Sequence, residues 1–339
     1  AALATGRRDI IAFTGAYHGL GYGALNATHR EHFRAPFRAQ LGEFGTFVPF
    51  PTAGDSFSAE AFRALLEKQF RRAAIGGVLV EPLQARAGTR VPPAWFLPLL
   101  REVCDAHGAL LMLDEIYTGF GRTGRWFACE HSGVVPDVIC LGKALTGGFP
   151  LSACVGRADV MDAAWPASTG EAIHTSTFLG HPVGCAMALA NVAEIRRAKL
   201  VERSARVGTW LAGELSKVQS PKSKVQVCAR GVGLMHGLEL LREDGSPATT
   251  EALGLIKRML HRGFVLLPEA MPGILAGLTI TFVSLVGYSA MAATIGVGAA
   301  CGRHAAALHD FAVRRLHHAR HLELVLGEQV QHVSFRIVG

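Results

Sequence analysis

Three apolar runs leave this chain few folds to choose from. "IGGVLVEP", "ALLMLDE" and "DVICLG" are too short for ordinary helices. They also lack polar–apolar alternation, as do strands covered on both faces. Helical patterns accompany them. "SFSAEAFRALLEKQFRR" is amphipathic, with a serine at its start and arginines at its end. "PPAWFLPLLREVCDAHG" opens on prolines and stops at Gly108. Continuous strands interleaved with helices predict a mostly parallel central sheet covered by helices, an α/β architecture. "LSACVGR" is a candidate for a further strand, and "AALATG" reads as the last turn of a helix stopped by Gly6.

Beyond residue 185 the strands thin out. "GCAMALANVAEIRRAKLVERSARVGTWLAGELSKV" reads as long helix, "VCARGVGLMHGLEL" as a strand or hairpin, and "TTEALGLIKRMLHRG" as another helix. A second, smaller α/β unit is expected there. The stretch from Glu269 to Arg303 carries no charge between its ends and is long enough to span a bilayer. Pro272 and several glycines interrupt it, and "LTITFVS" is β-branched. We read it as a buried strand followed by a small-residue helix, in preference to a membrane span. The last residues, 303–339, read as helix and then strand, with no evident role.

The chain has 339 residues, 50% of them apolar and 18% charged, which suits one large domain or two ordinary ones. Its net charge of +7 is spread over scattered arginines. Such a pattern suits a solvated surface and not a nucleic-acid interface. Seven cysteines form an odd set without CxxC or zinc spacing, which points to reduced thiols and a cytoplasmic home. His317 and His321 are spaced for a metal on a helix but lack a third ligand, so no metal site is expected.

Chemistry concentrates where the apolar runs end. Glu81, Asp114 and Lys143 each follow a strand, and in an open parallel sheet ligands sit at the carboxyl ends of strands. Lys143 has no charged neighbour between Asp137 and Arg157. A lysine in apolar surroundings is pushed toward its neutral, carbonyl-attacking form. It can equally end a buried strand and snorkel to water. Asp114, at a buried strand end, must face a cation or cap the next turn. Together the acid and the lysine suggest pyridoxal 5'-phosphate. That cofactor needs an amine for its aldehyde and a carboxylate to keep its ring nitrogen protonated.

The motifs "FTGAYHG", "VEPLQ", "LLMLDEIYTGFGRTG", "PDVICLGKALTGGFPLSA", "HTSTFLGHPVGCAMALA" and "ARGVGLMHGLEL" occur in an order and spacing that resemble the class III (ω-amino acid) aminotransferases. The resemblance runs from about residue 10 to residue 285. It implies a fold-type I pyridoxal phosphate-dependent transferase, with a large cofactor-binding domain over 1–190 and a small C-terminal domain over 191–302. Residues 303–339 share no resemblance. The expected reaction moves an amino group from an amino acid or ω-amine to a 2-oxo acid. An aminomutase or racemase on the same scaffold, or an inactive truncated chain that keeps the fold, are the alternatives.

Residue by residue, the resemblance implies that Lys143 carries the cofactor and shuttles the proton, and that Asp114 pairs with the pyridine nitrogen. Tyr17 and Ile116 would bracket the ring, with Glu81 and Tyr117 in the same cofactor-binding set. Thr177 would bind the phosphate of a neighbouring subunit's cofactor, which implies a homodimer. Arg230 would receive a substrate carboxylate. Three departures stand out. Many members have Gln where this chain has Tyr117. Ornithine and 4-aminobutyrate aminotransferases carry an acid where this chain has Arg86. Members also begin well upstream, with a Gly-Ser/Thr loop that cradles the phosphate at a helix N-terminus. The expectation is therefore an N-terminally truncated member that holds its cofactor weakly. Near the other end, "LTITFVSLVGYSA" stands where members usually carry a Pro-Pro pair.

Overall fold

The computed structural model describes residues 1–262 except 166, 168, 172, 175 and 219–224, together with the strand backbones at 267–268 and 279–283. The strand that leads to Lys143 belongs to a six-stranded sheet of order β2-β1-β3-β4-β5-β6. Its strands are β1 (Asp9–Phe13), β2 (Gly45–Val48), β3 (Ile75–Val80), β4 (Leu110–Asp114), β5 (Val138–Leu141) and β6 (Ala153–Gly156). The first five run parallel, and β6 pairs antiparallel with β5, Val138 opposite Gly156. Only residues 142–152 join β5 to β6. A parallel crossover needs about a dozen residues or more, usually with a helix, so this link folds back. The apolar runs around β3, β4 and β5 behave as the sequence predicts. β1 and β2 extend the sheet beyond those runs.

The helices are α1 (Ala2–Thr5), α2 (Tyr22–Leu25), α3 (Glu31–Arg34), α4 (Ala59–Arg72), α5 (Phe96–His107), α6 (Ala158–Ala164), α7 (Pro182–Arg197), α8 (Leu200–Ser216) and α9 (Thr249–His261). Gly6 ends α1 in the left-handed conformation, at φ 67°. Ser58 caps α4 by accepting the Ala61 N–H at 3.2 Å. The long helix expected over 185–218 is two helices. Lys199, at φ 50°, turns the chain between α7 and α8. The break lets α8 lie on the sheet's loops. Ser204 Oγ donates to the Arg122 carbonyl at 3.2 Å, and a Cβ on Gly208 would fall 2.2 Å from the Gly233 carbonyl oxygen.

The main core lies where α4 and α5 cover the sheet. Phe13, Phe62 and Phe96 are fully buried there, with ring centroids 5.3 Å apart for Phe13–Phe96 and 5.7 Å for Phe62–Phe96. Both pairs meet edge to face, the favoured geometry for aromatic rings. Packing of this kind fixes the strands whose far ends carry the charged residues.

A second, antiparallel sheet has the order β7-β8-β10-β9, with β7 (Val225–Val232), β8 (Met235–Arg242), β9 (Leu267–Pro268) and β10 (Thr279–Val283). β7 and β8 form a hairpin with Val232 opposite Met235, and Gly233 supplies the positive φ of 58° in its turn. Leu215, Leu238, Leu240, Ala248 and Ala252 form a separate small core against α8 and α9. β10 meets the expectation of a strand in "LTITFVS". The rest of the charge-free stretch, the 303–339 tail, His317 and His321 lie outside the described residues. Among the described residues, no helix is long and apolar enough to cross a membrane.

Candidate active site

Parallel pairing brings the ends of β1, β3, β4 and β5 to one edge, and with them the loop at 14–18, Glu81, Asp114 and Lys143. Asp114 is buried, as its strand-end position predicts. Its Oδ1 accepts the Ile116 N–H at 3.0 Å, and its Oδ2 accepts from His18 Nδ1 at 2.8 Å. His18 is itself buried, and its backbone N–H donates to Thr28 Oγ1 at 2.9 Å. The cation that Asp114 needs is therefore supplied within the chain, when His18 is protonated, or replaced by a neutral imidazole donor. Sequence reasoning missed His18, although it stands inside the "YHG" motif that singled out Tyr17.

Glu81 anchors the neighbouring loop. Its Oε1 accepts the Tyr17 N–H at 3.0 Å and its Oε2 the Ala85 N–H at 3.2 Å. Burial pushes its carboxyl up to about 7, with His18 opposing the rise and the charge of Asp114 adding to it. The Gln84 amide donates to the Thr14 carbonyl at 2.9 Å. Gly15 is obligatory in this contact. It has φ 84°, and a Cβ there would lie 2.8 Å from Gln84 Oε1. Loops 14–18 and 81–90 are thus locked together, and Tyr17 is held at the edge by its backbone.

Lys143 departs from the apolar setting its neighbours suggest. It is exposed, in a short 3-10 turn over Lys143–Leu145 that follows Gly142. Its φ of 43° is in the left-handed region, which turns the side chain off the strand's course. Nζ lies 3.6 Å from the centre of the Tyr117 ring, a cation–π contact. Such a backbone conformation in a non-glycine residue costs about 1–3 kcal/mol and persists only when its surroundings enforce it. Asn191 on α7 does so, donating to the Ala144 carbonyl at 2.7 Å and to Leu145 at 3.2 Å. Ile116 packs against Gly142, whose added Cβ would meet Ile116 Cγ2 at 3.6 Å. Tyr117 and Ile116 therefore flank the base of the lysine.

Two other expected residues sit differently. Thr177 is exposed in the turn leading into α7. Arg230, on β7, reaches the 81–90 loop, where its Nε donates to the Gly88 carbonyl at 2.8 Å. Its Nη1 is paired with Glu239 Oε2 at 2.7 Å. The resemblance implies that Arg230 receives a substrate carboxylate, and within the chain Glu239 supplies a carboxylate to it. The hairpin register sets Cys228 opposite Glu239, which puts Glu239 close to Arg230.

Comparison with known proteins gives a consistent picture. Residues 1–275 match the family model described as aminotransferase class-III. An acetylornithine aminotransferase of Methanosarcina mazei is 38% identical over 240 residues, which cover 71% of this chain and 55% of that protein. A leucine/methionine racemase of Thermococcus litoralis is 33% identical over 276 residues, covering 77% of this chain and 60% of that one. An amine transaminase from an uncultivated Pseudomonas species, solved in a PLP-bound form, matches with a TM-score of 0.72 at 29% identity. That match covers 83% of this chain and 66% of the other. The chain thus spans little more than half the length of the acetylornithine aminotransferase it matches.

Proposed function

We propose, on the premise that this chain belongs to the class-III aminotransferases, that its sheet-edge site moves an amino group from an amino acid or ω-amine to a 2-oxo acid with pyridoxal phosphate. The observation that carries this reading is the convergence of Lys143 with the Asp114–His18 pair at one edge. The donor set fits the cofactor. Asp114 is anchored by one hydrogen bond at each oxygen, and each oxygen keeps a second lone pair for a further N–H. When bound, the cofactor supplies an electron sink for the pair left as a substrate carbon loses its proton.

The chain's residues then divide the work. Lys143 Nζ would hold the aldehyde carbon and carry the proton to and from the substrate carbon. Its exposure on a short turn leaves room for that movement. Asp114, fixed by His18 and the Ile116 N–H, would keep the proton on the pyridine nitrogen. Tyr17 and Ile116 would bracket the ring, and Tyr117 would offer its hydroxyl to the cofactor's phenolic oxygen. Glu81 acts one step back, fixing the backbone of Tyr17. Arg230 would bind a substrate carboxylate by exchanging it for Glu239.

The same proposal includes a cofactor-holding domain over 1–190 and a smaller one over 191–302. It also includes a homodimer in which Thr177 serves the partner's cofactor phosphate. The exposure of Ile173 and Phe178 beside Thr177, at 65% and 73%, supports a partner surface there. A cytoplasmic location accords with the unpaired state of the described cysteines, from Cys104 to Cys228.

A racemase would use the same lysine and acid, and the racemase relative keeps that reading in view. The two differ in where the nitrogen goes. With a 15N-labelled amino acid, pyridoxal phosphate and 2-oxoglutarate, amino transfer is expected to deliver 15N to the acceptor. Loss of substrate chirality without transfer would replace this reading with racemisation. No turnover of any donor would overturn both.

A further inference from the structure

Beside the site lies a pair of guanidinium groups that the proposed chemistry has not used. Arg86, in the loop that follows Glu81, stacks over the Tyr17 ring with its guanidinium carbon 4.2 Å from the ring centre. The same carbon is 5.8 Å from the centre of Phe33, and the guanidinium of Arg30 is 5.3 Å from it. Phe33 meets Tyr17 at 5.7 Å, so two aromatic rings carry two cations. Arg86 Nε is buried and has no hydrogen-bond partner among the described residues.

The acids nearby are committed elsewhere. Glu31 is paired with Arg34 and Arg38, and both oxygens of Glu81 accept backbone N–H groups. Among the described ion pairs, none engages Arg30 or Arg86. Burial, and then the like charge of Arg86, lower the pKa of Arg30, as expected of two close cations without an anion. A partly buried cation pair is unfavourable unless an anion joins it. A guanidinium fork suits a carboxylate, which it can hold through two parallel hydrogen bonds.

We infer that Arg86, with Arg30 beside it, binds the distal carboxylate of a dicarboxylic substrate at the mouth of the site. The inference rests on the amino-transfer reading for the word substrate, and it deepens that reading by naming a substrate class. Tyr17 links the two places, because its backbone is fixed by Glu81 next to Asp114 and its ring carries Arg86. Dicarboxylic amino acids and their 2-oxo acids have the second carboxylate that such a pair would hold. A simple ω-amine lacks it.

The test uses glutarate, a dicarboxylate with no reactive group, titrated calorimetrically into the chain with pyridoxal phosphate present. Butyrate, with one carboxylate, and inorganic phosphate are titrated alongside. Arg86→Gln is expected to weaken glutarate by about tenfold or more, with butyrate changed by less than about twofold. Arg86→Lys should fall between, because it keeps the charge without the fork. Arg30→Gln, at a half-buried position, is expected to weaken glutarate by roughly threefold and serves if Arg86→Gln does not fold. Unchanged glutarate binding in folded variants overturns the inference. So does an equal loss for glutarate and butyrate, which would make Arg86 a packing residue for Tyr17. An effect confined to phosphate would assign the pair to a phosphate group and also overturn it. If 15N transfer fails while glutarate still requires Arg86, the reaction reading is lost and the carboxylate site stands.

Discussion

Two adjacent strand ends meet opposite treatment. At the end of β4, Asp114 is buried and both oxygens are engaged by His18 and the Ile116 N–H. At the end of β5, Lys143 is exposed, its backbone is in the left-handed region, and its ammonium rests on the Tyr117 ring. The acid is a finished piece of architecture, while the lysine is held in a conformation that costs free energy. The difference accords with the roles proposed for the two groups. A group that holds one proton in place works best when fixed. One that forms a bond and then moves a proton must be able to change position.

The largest effect that probes this comparison is expected at the fixed end. Asp114→Asn keeps the shape and removes the carboxylate that would hold the proton on a bound cofactor's pyridine nitrogen, so proton abstraction should slow. The amino-transfer rate should fall by about a hundredfold or more. Stopped-flow absorbance with a good donor would measure it. Transfer at the parent rate would mean that Asp114 is merely structural.

A smaller effect is expected at Glu81, another buried acid of the same edge. Its carboxyl is raised to about 7 in the folded chain, above the ordinary 4.5. The folded state therefore binds this proton more tightly than the unfolded state does. Its contribution to stability is fully present below the unfolded value and is lost as pH rises through the folded value. Between about pH 5 and pH 8 the parent should lose roughly 2–3 kcal/mol of stability relative to Glu81→Gln. Urea unfolding of both forms across that range would measure the difference. Parallel pH profiles would show that Glu81 is charged in the fold and would contradict the raised carboxyl.

The same contrast marks what could be read from sequence. β3, β4 and β5 were legible because each is a continuous apolar run that stops at or near a charge, and a parallel sheet then brings those charges together. β1 and β2 were not, since "DIIAF" and "GTFV" are short and the helices between them, α2 and α3, are single turns too short to show a helical rhythm. The direction of β6 was implicit in the length of the 142–152 link. The break at Lys199 was invisible, because both flanks favour helix and the turn depends on how α8 packs near Gly233.

In the site, Asp114 and Lys143 were legible as residue types at strand ends. Their partners depend on distant contacts. His18 meets Asp114 from the loop after β1, and Glu239 meets Arg230 across the β7–β8 hairpin. The sequence left open whether Lys143 sits in an apolar setting or reaches water, and its exposure was decided by a positive φ that an apolar neighbourhood along the chain does not reveal. Arg86 was visible as a departure from the resemblance, but its stacking on Tyr17 beside Arg30 needed the fold.

The central claim is that the strained, exposed lysine, backed by the fixed acid, is where the cofactor attaches. The direct measurement is borohydride reduction of the chain after incubation with pyridoxal phosphate, followed by peptide mass mapping. The account predicts a phosphopyridoxyl group on the peptide containing Lys143, and its loss from that site in Lys143→Ala. A label on another lysine with Lys143 unmodified, or no label at saturating cofactor, would contradict it.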